Sequence, residues 1–239
     1  AEQELSQSSP AELLEGVQGM QGHLHAPYRR WNQHIRDVVG TDAVVLELGC
    51  GTGRHTATVA RSGARVYALD IAETALKAAR LRAPDRIIPI CAEMSGIPLN
   101  GGTVDIVLAA GALSYDDPSR VDREIRRVLR PGGSLVVVDS LNHNPLYRFN
   151  RWVNYKKGNR SLSTIRWMPD QSRIRQLSNG FTHVSVDYFG AFNFLYPITS
   201  RILGAERAAR FDESLERRIG SGRFAFKFVV RAEGLRKSD

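Results

Sequence analysis

Between residues 43 and 140 the sequence alternates short apolar runs with amphipathic stretches, and this alternation restricts the fold more than any other feature. The runs AVVLEL (43–48), RVYALD (65–70), RIIPIC (86–91), TVDIVLAA (103–110) and SLVVVDS (134–140) read as strands. RHTATVARSG, AETALKAARLRA and SRVDREIRRVLR, which fall between them, read as helices stopped at Gly63, before Pro84 and at Pro131-Gly132-Gly133. Strands apolar on both faces belong in a parallel sheet covered by helices, so the alternation predicts an α/β fold.

The first strand runs into VLELGCGTGR (45–54), where Gly49, Gly51 and Gly53 occupy every second position behind an acidic residue, Glu47. Glycine removes the Cβ, so a ligand can approach the backbone, and it permits a positive φ. The helix that follows offers free N–H groups, and in an open α/β sheet ligands lie outside the carboxyl ends of the strands. A dinucleotide turn needs its third glycine where this chain has Arg54. Glu47 also suits a pyrophosphate poorly and a cation well. S-adenosylmethionine carries a sulfonium and an ammonium and no phosphate. Asp70, ending the second strand, can accept hydrogen bonds from ribose hydroxyls. That feature fits a nicotinamide cofactor equally, so an oxidoreductase is opposed only by the glycine spacing and Glu47.

VLELGCGTG, VYALD and CAEMSGIPL, followed by TVDIVLAAGALSY and EIRRVLRPGGSLVVVD, resemble in order the motifs of class I S-adenosylmethionine-dependent methyltransferases. The resemblance covers about residues 43–140. It implies a Rossmann-like, seven-stranded, mostly parallel sheet with helices on both faces. Segments 182–191 and 223–232 fit the reversed last hairpin, with an antiparallel last strand. It implies an N-terminal helical cap (1–40), in which YRRWNQHIRDVV is amphipathic, and a methyltransferase domain (41–239). Helical insertions follow strands 5 and 6, at about 143–180 and 193–222. The implied cofactor is S-adenosyl-L-methionine. Glu47, Gly49, Cys50, Gly51 and Gly53 match the loop under its methionine part, Asp70 the ribose carboxylate, and Ile71 the residue beside adenine. Glu93-Met94 matches an Asp-Met pair flanking adenine, with Glu in place of Asp. Ala109, Ala110 and Gly111 match the end of strand four, and Tyr28 is expected to close the pocket, or to be a helix-packing aromatic.

The acceptor is constrained mainly by what the chain lacks. AAGALSYDD after strand four is not the Asn-Pro-Pro-Tyr-type motif of adenine or glutamine N-methylation, and neither cysteine has the Pro-Cys setting of cytosine enzymes. Strand four ends in Ala109-Ala110, without the carboxylates that a metal-dependent enzyme needs, so no metal is expected. His143, in the loop after strand five, is a candidate base for an alcohol acceptor, or a turn residue ahead of the Asn144 cap. Tyr115 is expected to face the same cleft. The chain carries a net charge of +8 at pH 7. Nearly all of it falls between Tyr147 and Gln176, where eight arginines and lysines stand against Asp170 alone. Arg148, Trp152 and Tyr155 share one helical face there and form a candidate acceptor-binding set.

These features predict O-methylation of a small polar or anionic acceptor such as a sugar, glycan or secondary metabolite. Three readings stay open: N-methylation of a small molecule, an RNA-binding protein on the methyltransferase fold, and one that contacts a membrane surface peripherally. The polar N-terminus and two unpaired cysteines, Cys50 and Cys91, lead us to expect a cytoplasmic protein.

Overall fold

In a computed structural model of the chain, described for residues 25–158, 162–191, 196–204, 207–208, 211 and 224–236, seven strands form one sheet. In chain order the elements are α1 (His25–Val38), β1 (Val44–Leu48), α2 (Arg54–Arg61), β2 (Arg65–Asp70), α3 (Glu73–Arg82), β3 (Ile87–Cys91), β4 (Val104–Ala110), α4 (Pro118–Val128), β5 (Leu129–Ser140), α5 (Pro145–Lys156), α6 (Leu162–Arg166), α7 (Gln171–Ser178), β6 (Phe181–Phe189), α8 (Tyr196–Leu203) and β7 (Lys227–Leu235). The strand order is β3-β2-β1-β4-β5-β7-β6. β1 to β5 pair in parallel, and β7 enters antiparallel between β5 and β6. This is the expected architecture: a seven-stranded, mostly parallel sheet with a reversed last hairpin. The expected N-terminal cap before His25 lies outside the described residues, as does most of 205–223.

The two faces of the sheet carry separate cores, which accounts for the continuous apolar runs. Val121, Ile125 and Val128 of α4, with Ile174 and Leu177 of α7, cover Leu46, Val107 and Val137 on one face. Tyr28, Trp31 and Ile35 of α1, with Val59 and Ala60 of α2 and Leu76 and Ala79 of α3, cover Val45, Val66 and Val136 on the other. Trp31 is fully buried, and its indole Nε1 donates to the Val136 carbonyl at 3.3 Å. Arg30 Nε donates to Asp187 of β6 at 2.7 Å, and Arg231 of β7 donates to Asp37 at 2.8 Å, fixing α1 across the last hairpin.

Local chemistry sets the element ends. Asp117 caps α4 by accepting from the Ser119 and Arg120 N–H groups at 2.9 and 3.0 Å, with Pro118 in the first turn. Asp170 caps α7 through the Arg173 N–H at 2.8 Å. The helix predicted to reach Arg130 stops at Val128, and Leu129 is already extended. Pro131 supplies no N–H and pushes its predecessor out of the helical region. Pro89 is accommodated because β3 is an edge strand. No helix among the described residues is long and apolar enough to cross a membrane.

Candidate active site

The strand order reverses direction between β1 and β4, and the loop leaving β1 lies at that switch point. Gly49, Gly51 and Gly53 all have positive φ, at +64, +53 and +74°. Their surroundings divide them. A Cβ on Gly49 would lie 2.7 Å from the Ala112 Cβ, and one on Gly53 2.5 Å from the Ala79 Cβ. Those two glycines let elements pack. A Cβ on Gly51 would meet nothing within 4 Å, so of the three this is the one that faces open space.

Two carboxylates flank the loop. Asp70, at the end of β2, accepts from the Gly51 N–H at 2.8 Å and from the Ala72 N–H at 3.0 Å. It therefore holds the loop, and each oxygen keeps a lone pair for a further donor. Glu47 of β1 is buried and accepts from Thr56 Oγ1 at 2.5 Å. Burial pushes its carboxyl up to about 7, the Thr56 bond opposes this, and the Asp70 charge adds to it. Cys50 is buried beside both, and burial first, then these two carboxylates, raise its thiol.

Tyr28 crosses from α1 to this loop. Its ring stacks on His55 with centroids 5.5 Å apart and planes 7° apart, and Trp31 meets His55 edge-on at 4.9 Å. The Tyr28 hydroxyl lies 3.9 Å from where a Cβ on Gly111 would sit. Burial, then the nearby Asp139 charge, push the phenol up to about 12, and burial, then Arg54, push His55 down to about 4. His55 is thus a neutral packing ring at the start of α2. Ile71, next to Asp70, is an apolar side chain 73% exposed, while Glu93 is exposed with a 3.4 Å contact to Ser95 Oγ. Met94 is buried in the core with Leu69 and Ile97. Ala109 is buried and Ala110 half-buried at the end of β4.

On the other side of β4, Tyr115 is exposed and His143 is half-buried, with no hydrogen bond to His143 among the described residues. The backbone around His143 is fastened. Leu141 N–H donates to Phe226 O at 2.8 Å, Asn142 N–H to Pro169 O at 2.7 Å, and the Asn144 side-chain amide to Phe224 O at 2.8 Å. The basic segment splits. Arg151 turns inward to Leu141 O at 3.0 Å, and Arg173 turns inward to Pro118 O at 2.7 Å and to Asp122. Arg148 stays exposed on α5, while Trp152 stacks with Phe149 at 6.0 Å and lies under Lys156 at 5.7 Å. Tyr155 is half-buried on the same helix, and Arg160 lies outside the described residues. Sequence reasoning missed Thr56 and His55, which are polar residues inside an otherwise ordinary helix start. It also missed Asp139 and Lys227, each a single charge within an apolar strand.

A sheet of this order, with a glycine turn after β1 and a carboxylate ending β2, defines the class of Rossmann-like nucleoside-binding domains. Residues 46–137 match the methyltransferase domain family. An uncharacterized methyltransferase of Mycobacterium tuberculosis is 39% identical over 94 residues, 39% of this chain and 38% of that protein. The demethylmenaquinone methyltransferase of Renibacterium salmoninarum is 33% identical over 114 residues, 46% of this chain and 48% of that protein. The matched part thus spans less than half the length of these relatives. Among solved structures, the geranyl diphosphate C-methyltransferase of Streptomyces coelicolor superposes with a TM-score of 0.61 at 19% identity, over 89% of this chain and 78% of that one. Residues 46–137 thus carry the methyltransferase domain pattern, and the fold is shared with a solved methyltransferase.

Proposed function

We propose that the chain binds S-adenosyl-L-methionine in the cleft over the glycine loop and methylates an oxygen of a small polar or anionic acceptor. The observation that carries the cofactor is the setting of Gly51: open space above a glycine whose N–H donates to the Asp70 carboxylate, with Glu47 buried close to Asp70. Glu47 and Asp70 suit an ammonium, a sulfonium and a ribose, and they would repel a pyrophosphate. Bound there, the cofactor supplies an electrophilic methyl group on sulfur. The chain's task is then to hold, orient and desolvate. Gly49, Cys50, Gly51 and Gly53 carry the methionine part, and Asp70 takes the ribose. Ile71, Glu93, Met94 and Ala110 border the adenine side, and Tyr28 closes the site from α1.

His143 is the proposed base. Its loop is fixed by backbone hydrogen bonds while its ring is left without a partner among the described residues. As the acceptor oxygen attacks, the hydroxyl proton passes to the imidazole. Tyr115, Arg148, Trp152 and Tyr155 are the proposed acceptor contacts.

Calorimetry with S-adenosylmethionine tests the first half. The wild type should bind, and Asp70→Ala should lose tenfold or more in affinity, since it removes both the loop clamp and the ribose contact. No binding by the wild type, or full affinity in Asp70→Ala, would sink the reading. In a transfer assay with an alcohol acceptor, His143→Ala should lose turnover and keep cofactor affinity, and retained turnover would remove the base role.

A further inference from the structure

Two buried charges at the end of β5 and the start of β7 have no part in the roles above. Asp139 is 2% exposed and Lys227 7% exposed. Both oxygens of Asp139 are already engaged, Oδ2 by the Leu113 N–H at 2.9 Å and Oδ1 by the Ser140 N–H at 2.6 Å. Lys227 donates no hydrogen bond among the described residues. Its Nζ lies 5.3 Å from the Tyr28 ring centroid and 5.9 Å from that of Phe226. An ammonium has three donors to satisfy, and none of them meets an acceptor among the described residues. Burial pushes Lys227 down, the Asp139 charge opposes that, and Arg151 reinforces it. The aromatic faces and the Asp139 charge compensate the cation in part, but neither accepts its hydrogen bonds.

The position of this lysine follows from the topology. The proposed cofactor cleft spans β2, β1 and β4, from Asp70 to Gly111. β5 and β7 lie on the far side of β4 from Asp70. The link is short: Gly49 approaches Ala112, and the next residue, Leu113, is bonded to Asp139. Tyr28 touches both ends, with its hydroxyl near Gly111 and its ring beside Lys227. The ends of β4, β5 and β7, where Lys227 stands, thus border the proposed cleft on the side away from Asp70.

We propose that Lys227 is the docking point for an acidic oxygen of the methyl acceptor. The acidic oxygen is that of a carboxylate or a phenolate. This rests on the methyltransferase reading and narrows its acceptor to an acidic molecule. Lys227 acts as a binding residue, and His143 keeps the proton transfer.

The test uses the full chain saturated with S-adenosylhomocysteine and titrated with benzoate, 4-nitrophenolate and the neutral benzamide. At least one anion should bind the wild type, and Lys227→Met should weaken that anion tenfold or more, with S-adenosylhomocysteine affinity unchanged. Benzoate alone binding assigns a carboxylate, and 4-nitrophenolate alone a phenolate. Failure of both anions to bind, or equal anion affinity in wild type and Lys227→Met, overturns the proposal. Should Lys227→Met not fold, reductive methylation of the wild type gives the same decision. The bound anion should slow labelling of Lys227 tenfold, as read by mass spectrometry, and benzamide should not; equal labelling overturns it. Absence of S-adenosylhomocysteine binding would instead defeat the methyltransferase reading, and the anion titration of the unliganded chain would still decide the role of Lys227.

Discussion

Gly51→Ala separates what the glycine loop does for the fold from what it does for a ligand. An alanine at φ +53° incurs the left-handed backbone penalty, about 1–2 kcal/mol. Its methyl meets no protein atom within 4 Å, so no packing term is added. For a chain of this size that corresponds to a fall in Tm of roughly 2–8 °C. Gly53→Ala has a similar backbone penalty at φ +74°, and its methyl would also lie 2.5 and 2.6 Å from the Cβ and Cα of Ala79. Backbone cannot yield as a flexible side chain does, so overpacking adds about 1–3 kcal/mol. Gly53→Ala should therefore be the less stable of the two. Cofactor affinity should follow the opposite order among folded variants. A methyl on Gly51 intrudes where a ligand close to the loop must lie, and an overlap of about 1–3 kcal/mol weakens binding roughly 5- to 150-fold. Thermal unfolding by circular dichroism gives the first quantity, and calorimetry with S-adenosylhomocysteine the second. Wild-type affinity in Gly51→Ala would refute the argument, because the open space above that residue would then not be the ligand's.

Glu47 should make cofactor binding a proton-linked event. Its carboxyl, at about 7 in the unliganded protein, should ionise when a cation arrives, so binding near pH 6.5 should release a proton. Calorimetric enthalpies in two buffers of different ionisation heat should differ at pH 6.5, converge by pH 8, and coincide throughout in Glu47→Gln. The same shift bears on stability. A carboxyl raised in the folded state holds its proton more tightly there than in the unfolded chain. Its contribution is complete below about pH 4.5 and lost as pH rises through 7, about 3 kcal/mol in all. Arg126 supplies a control away from the cleft. Its guanidinium donates to the carbonyls of Gln176 at 2.6 Å and Leu177 at 3.3 Å, closing the end of α7. Arg126→Ala should lower stability by about 1–2 kcal/mol in urea unfolding and leave S-adenosylhomocysteine affinity unchanged.

The strands were legible because burial on both faces writes itself as an apolar run, and the loop because glycines at alternate positions have few other uses. Boundaries were less so. The last strand, expected from Arg223, begins at Lys227, since Phe226 packs against the Tyr147 ring at 4.6 Å before the ladder starts. The short helix α6 left no periodicity to read. Within the site, Glu47 was found as a lone acid in a strand. The same signal marks Asp139 in LVVVDS and Lys227 in FKFVV, but nothing in either run says that they meet. Their neighbourhood comes from β7 inserting beside β5, a pairing between residues far apart in sequence.

That insertion governs when the sheet can be completed. β7 is last in sequence yet lies between β5 and β6. During synthesis, β5 and β6 must therefore wait with exposed ladder edges until β7 itself has left the ribosome. Unpaired edges of this kind recruit other strands, so the nascent chain passes through an interval of aggregation risk that closes only when β7 slots in. The same event brings Lys227 close to Asp139, so that end of the sheet is assembled only then.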